Sequence, residues 1–205
     1  MKKLNIDNPF FEMMGKLGDL IIINLLFLFC SLLVVTIGAA MAAMYGVFQR
    51  MEEEREGNVV RTYLRCFREK LKFCTPVWLG ILLVGTVLVF DVIFLGHVGM
   101  RGIWKIVGAG TGCLIFLWEL VFAWIFPLMG KEELLGAKAV KTAFKMGILR
   151  LPATLVMVVL NNILIICLMM DVYYVMLMAP FYLVVGFGMV AYVNHRLIRW
   201  KEFYI

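Results

Sequence analysis

The chain has 205 residues, of which 63% are hydrophobic and only 17% charged, with a mean hydropathy of +0.94 and a formal net charge of +6. Soluble domains average roughly 45–50% apolar residues, so this composition excludes a water-soluble globule. Hydrocarbon cannot hydrogen-bond a backbone, and runs of about 20 apolar residues fit helices, where barrel strands would need only about 10 alternating ones. The predicted class is therefore all-α: one polytopic transmembrane domain with five membrane-spanning helices and amphipathic cytoplasmic helices.

In chain order, Lys2, Lys3 and Lys16 come first, with Asp7, Glu12 and Asp19 among them. The apolar run then begins about 20 residues in and is too long for a cleaved signal, so it reads as a retained anchor. The predicted spans are residues 20–48, 77–95, 106–129, 151–170 and 175–193. The first exceeds the roughly 20 residues a bilayer needs, so it must tilt, bend or emerge into the cytoplasm.

A run of Glu52, Glu53, Glu54 and Glu56 ending at Gly57 separates that span from a predicted amphipathic helix over 58–73, with Asn58 as its N-cap. Val60, Tyr63, Leu64, Phe67 and Leu71 recur at helical spacing on one side; Arg61, Arg65, Arg68 and Lys72 form a basic stripe beside them. Such a helix lies at the inner surface against phospholipid headgroups, or offers a docking surface to a partner. Pro76 then fits the first turn of the second span.

The third loop has the same pattern. From Leu134 to Leu149, Lys138, Lys141 and Lys145 share one face, Val140 and Phe144 lie near another, and Pro152 starts the fourth span. The pattern reads as an initial helix followed by two copies of a unit, each an interfacial helix leading through a proline into a hairpin. The last two spans, joined by Asp171 to Tyr174, form a tight hairpin.

Positive-inside counting places fifteen Lys and Arg in the cytoplasm and five outside when the N-terminus is outside and the C-terminus inside. The basic charge is accounted for by anionic lipid at the inner loops, so no nucleic-acid partner is implied. Small residues Gly38, Ala42 and Gly46 recur every four positions in the first span, as do Gly108 and Gly112 in the third, which predicts close packing of these two spans.

Polar residues inside the spans are the candidate site. Glu119 falls near the middle of the third span, where an ionised carboxylate costs a few kcal/mol unless protonated, paired or hydrated. It should face protein or water as a largely neutral acid, with Asn161 and Asn162 at the same depth as hydrogen-bond partners. Asp91, nearer the outer face, is expected to meet Asn24.

Other chemistry finds little support. Cys66 and Cys74 fall in a reducing compartment, there is no C-x-x-C, and His97 and His195 lie near opposite ends of the membrane, so neither a metal nor another cofactor is expected. Ser31 has no histidine at its depth, and no phosphate loop or carboxylate pair occurs at workable spacing, so an enzyme is not expected.

The run Asn24-Leu25-Leu26, then Cys30-Ser31-Leu32-Leu33-Val34-Val35-Thr36-Ile37-Gly38-Ala39, followed by Tyr45, Gly57, Phe67, Lys72 and Trp78, resembles the YesL-like family of bacterial integral membrane proteins, a domain of unknown function. This chain has Leu33 where that family usually shows a proline and the kink proline imposes. The resemblance implies a multi-pass protein of the bacterial cytoplasmic membrane, often encoded beside carbohydrate uptake systems. The resulting expectation is a non-enzymatic accessory protein that supports assembly or regulation of a carbohydrate ABC transport system through contact with its permease subunits. The alternative is a small transporter or ligand-binding bundle using Glu119 and Asp91.

Overall fold

A computed structural model describes residues 9–52, 58–99, 102–131 and 136–200, with side chains from residue 14 to residue 198. Every regular element among these residues is helical. Helix α1 (Pro9–Cys30) ends in a break, and a single 3-10 turn over Val34–Thr36 leads into α2 (Ile37–Glu52). Then follow α3 (Val59–Val98), α4 (Ile103–Gly130), α5 (Ala137–Leu149), α6 (Leu151–Asn161), α7 (Ile163–Met170) and α8 (Val172–Phe181). A π-helical turn, Tyr182–Gly186, joins α8 to α9 (Phe187–Trp200).

Four segments are long and apolar enough to cross a membrane: Val34–Glu52, Val59–Val98, Ile103–Gly130 and Val172–Ile198. The pair α5 and α6, bent by 109°, makes a fifth if counted as one span. The chain is a multi-pass membrane protein with an all-α fold.

Three boundaries differ from the sequence reading. The stretch 20–48 is not one helix: Leu33 takes an extended conformation (φ −88, ψ 116), which is open to proline but is reached here without it. The carbonyls freed by the break find side-chain donors. Thr36 Oγ1 donates to the carbonyls of Cys30 (2.6 Å) and Leu33 (2.8 Å), Ser31 Oγ to Leu28 (3.0 Å), and Trp78 Nε1 to Val34 (2.7 Å).

The amphipathic segment and the second span are likewise not separate elements. They form one 40-residue helix, α3, with Pro76 in its interior. Proline removes one backbone bond, but packing on both sides of residue 76 outweighs that loss, because Cys74 is fully buried and Trp78 is pinned to Val34. At 1.5 Å per residue α3 is about 60 Å long, about twice the hydrocarbon thickness. At Pro152, by contrast, the chain turns through 109°, so the two proposed repeat units do not share a geometry.

The fourth span is the third difference. It is interrupted at Asn162 (φ −95, ψ 7), leaving the short helices α6 and α7. Asp171 alone makes the following hairpin turn, its carboxylate accepting from Tyr173 N at 3.0 Å.

The core lies where α2, the first half of α3, the last third of α4, and α5 meet, with Tyr63, Phe48, Trp124, Phe126 and Met129 fully buried. Glycines permit these approaches. A Cβ on Gly38 would overlap Trp78, one on Gly130 would come within 2.7 Å of Tyr45 Cβ and 3.2 Å of Gly46 N, and one on Gly147 would sit 3.2 Å from Leu120 Cβ. The first and third predicted spans do pack together, and the predicted Gly38 and Gly46 are the points of approach, but on the other side they meet Phe126 and Gly130. A Cβ at Gly112 would meet nothing within 4 Å.

Candidate functional site

Two constellations emerge: a file of polar side chains threading the bundle and a basic surface at one end of it. The file begins at the break in the fourth span. Asn162 donates through Nδ2 to Glu119 Oε2 at 3.0 Å, so α4 and the α6–α7 break are joined as the sequence predicts. Its neighbour Asn161 points elsewhere, its Oδ1 accepting from Asn194 Nδ2 of α9 at 2.9 Å. Two adjacent side chains on a helix project about 100° apart, so one break serves two neighbours.

Asn194 also donates to Tyr45 Oη at 3.4 Å, and its own Oδ1, fully buried, has no partner among the described residues. One residue further along α9, His195 Nε2 lies 2.8 Å from Glu52 Oε2, tying the ends of α2 and α9 together, with the Phe48 ring 6.2 Å from the imidazole.

The expected meeting of Asp91 with Asn24 does not occur. Asp91 accepts from Thr111 Oγ1 at 3.2 Å, across the α3–α4 pair. Asn24 is fully buried against the π turn: its Nδ2 donates to the carbonyls of Tyr182 (3.2 Å) and Leu183 (2.8 Å), and its Oδ1 accepts from Gly188 N at 2.9 Å. A π turn disturbs the regular i→i−4 ladder, and Asn24 bonds three backbone groups there. Such a turn leaves no mark in hydrophobic periodicity, so its three backbone groups are invisible as partners for Asn24 in the sequence.

Sequence reasoning missed Asn194 and Thr111, and it missed Lys70. Lys70 lies outside the arginine stripe and shares its face with Tyr63, Cys66 and Cys74, the face α3 buries. Its side chain is 5% exposed, and Nζ donates to the Met129 carbonyl at 2.6 Å, one residue before the end of α4. A cation at a helix C-terminus is favoured by the macrodipole, which makes the burial tolerable. Helical spacing carried the signal, since Lys70 falls four residues from both Cys66 and Cys74.

The packed face of α3 is therefore rotated from the expected one: Val60 and Leu64 are exposed at 39% each, while Tyr63, whose hydroxyl donates to the Ala40 carbonyl at 3.1 Å, is fully buried. Asn58 caps the helix as predicted, accepting from Val60 N and Arg61 N.

With Lys70 inside, Arg61, Arg65, Arg68 and Lys72 stand exposed on the opposite side of α3. A shallow concavity of about 670 Å³ runs over Asn58, Arg61, Leu64, Arg65, Arg68 and Glu69. Lys138, Lys141 and Lys145 are exposed on α5, whose stripe of Ala139, Ala143 and Gly147 is buried. Both basic faces lie toward the C-terminal end of α4, since Lys70 reaches Met129 and Gly147 packs on Leu120. Outside the described residues fall Lys2, Lys3, Asp7, the run Glu53, Glu54, Glu56 and Gly57, Arg101, Leu134, Lys201 and the side chains of Glu12 and Arg199.

Residues 20–92 match a family described as a protein of unknown function, DUF624. The matched region holds the joints just described: Asn24 at the π turn, Ser31 and Thr36 at the helix break, Gly38 beneath Trp78, and Lys70. No curated protein and no solved structure matches the chain.

Proposed function

We propose that this chain is a non-enzymatic accessory protein of the YesL-like type, seated in the bacterial cytoplasmic membrane, that supports assembly or regulation of a carbohydrate ABC transport system. Its N-terminus lies outside and its C-terminus inside. The observation that carries the reading is the exposed row Arg61, Arg65, Arg68 and Lys72 on a helix too long for the bilayer. The rigid extension holds these cations clear of the headgroups, where an acidic cytoplasmic face of a permease subunit can meet them.

Cross-linking and pull-down from native membranes tests this. A permease subunit should be recovered in stoichiometric yield with the wild type and lost when Arg61, Arg65 and Arg68 are all changed to Glu. Equal recovery with both proteins, or recovery of no permease at all, overturns the reading.

A second reading, a small transporter or ligand-binding bundle, has one specific observation in its favour: the Glu119–Asn162 pair lies on a helix break, with the unpartnered Asn194 Oδ1 further along the same file. Discontinuous helices with polar side chains at the break are where membrane transporters hold their solutes. Solute flux in proteoliposomes that vanishes in Glu119→Gln, with Arg61, Arg65 and Arg68 dispensable, would favour it.

A further inference from the structure

Between α3 and α4, on the side where α5 crosses, lies an apolar groove of about 490 Å³ whose walls include Leu83, Val87, Leu114, Trp118 and Val121, with Phe144 of α5 at its edge. Its walls face outward: Leu83 is 67% exposed and Val87 58%. From Leu114 to Val121 the groove runs about 10 Å along α4, and a helix with its side chains is itself about 10–12 Å across, so the groove is shaped for a hydrocarbon chain and not for a helix.

What lies beside the groove identifies the occupant. On α5, Lys141 is one turn before Phe144 and Lys145 directly after it. Both are exposed, on the side of the helix away from the buried Ala139, Ala143 and Gly147. The chain bends by 109° between α5 and α6, so α5 is a separate arm packed on α4 through Ala139, Ala143 and Gly147, with its lysines on the outside.

We propose that this groove seats one acyl chain of an anionic phospholipid, with the lipid's phosphate held by Lys141 and Lys145. The chain contacts fix position and give little selectivity, because every lipid tail is as apolar as the groove. Selectivity comes from the headgroup charge, and two lysines close to one anionic headgroup correspond to a preference of about thirtyfold over a zwitterionic lipid with the same chains. This site is independent of the docking role assigned to α3.

Native mass spectrometry of the full chain in mild detergent, titrated with phosphatidylglycerol or phosphatidylcholine of identical acyl chains, tests it. The wild type should retain one phosphatidylglycerol with about thirtyfold preference. The pair Lys141→Gln and Lys145→Gln should abolish the preference, and Lys141→Arg with Lys145→Arg should keep it. Val87→Trp, which fills the groove from an exposed position, should lower occupancy by both lipids while the wild-type preference persists. Equal binding of the two lipids by the wild type overturns the proposal, as does a preference that survives in the Gln pair. Occupancy unchanged by Val87→Trp also overturns it, because the lipid would then rest on α5 alone.

Discussion

The two ends of α3 meet different surroundings. From Tyr63 to Cys74 its inner face is fully enclosed by α2, α4 and their neighbours, glycine against side chain, with a lysine among the buried residues. From Leu79 to Val98 the same helix is mostly bare on the outside, and the α7–α8 hairpin is barer still, with Met169 85% exposed. Lipid supplies no hydrophobic force to press helices together, so the bare half needs only apolar side chains and satisfied backbone. The enclosed half must instead fit atom to atom, and there single residues matter.

That contrast can be attacked directly with thermal unfolding in detergent. The largest effect is expected at Gly38→Leu, where the new side chain collides with Trp78 in the enclosed half; overpacking should cost about 3 kcal/mol or more. Gly96→Ala, in the bare half with nothing within 4 Å of its Cβ, should leave stability unchanged or raise it by up to about 0.5 kcal/mol. Comparable losses at both sites would erase the distinction.

Next in size is Lys70→Ala, which removes a charged donor from the Met129 carbonyl and should cost about 2–3 kcal/mol. Lys72→Ala, two residues on and exposed, should move the midpoint by no more than about 0.5 kcal/mol. Trp124→Phe loses the 2.8 Å bond to Thr154 Oγ1 and also empties the space of the buried pyrrole ring, and about 2 kcal/mol should go with the two together. Smallest is Glu119→Gln, whose amide oxygen can still accept from Asn162, with an expected change under about 0.5 kcal/mol. A larger loss there would mean that ionised Glu119 is a structural member of the bundle.

Legibility in the sequence follows the same divide. Apolar length alone identified the lipid-facing parts of α3, α4 and the last span, and depth counting paired Glu119 with Asn162. Local chemistry was equally readable: Asn58 caps α3 as expected, and the last two spans do meet in a tight turn, although Asp171 alone makes it where four residues were expected. Length alone announced a bend in the first segment, and Ser31 and Thr36 hold it locally, but the π turn at Tyr182 was not readable, because it is held by Asn24, a side chain distant in sequence. Pro76 misled for a related reason. Proline is a good local stop signal, but tertiary packing over Tyr63 to Trp78 overrides it, while at Pro152 the chain does turn. Spacing puts Lys70 on the face of Cys66 and Cys74, but its partner, the Met129 carbonyl, depends on where α4 ends, which no spacing rule supplies.

The length of α3 has a mechanical corollary. A stiff rod about 60 Å long, held in a sheet half as thick, works as a lever with its pivot near the headgroups. The half of that lever from Tyr63 to Trp78 is clamped to α2 and α4 through Tyr63, Lys70 and Trp78, so any tilt of the bare arm has to carry those two helices, and not the arginines alone, with it.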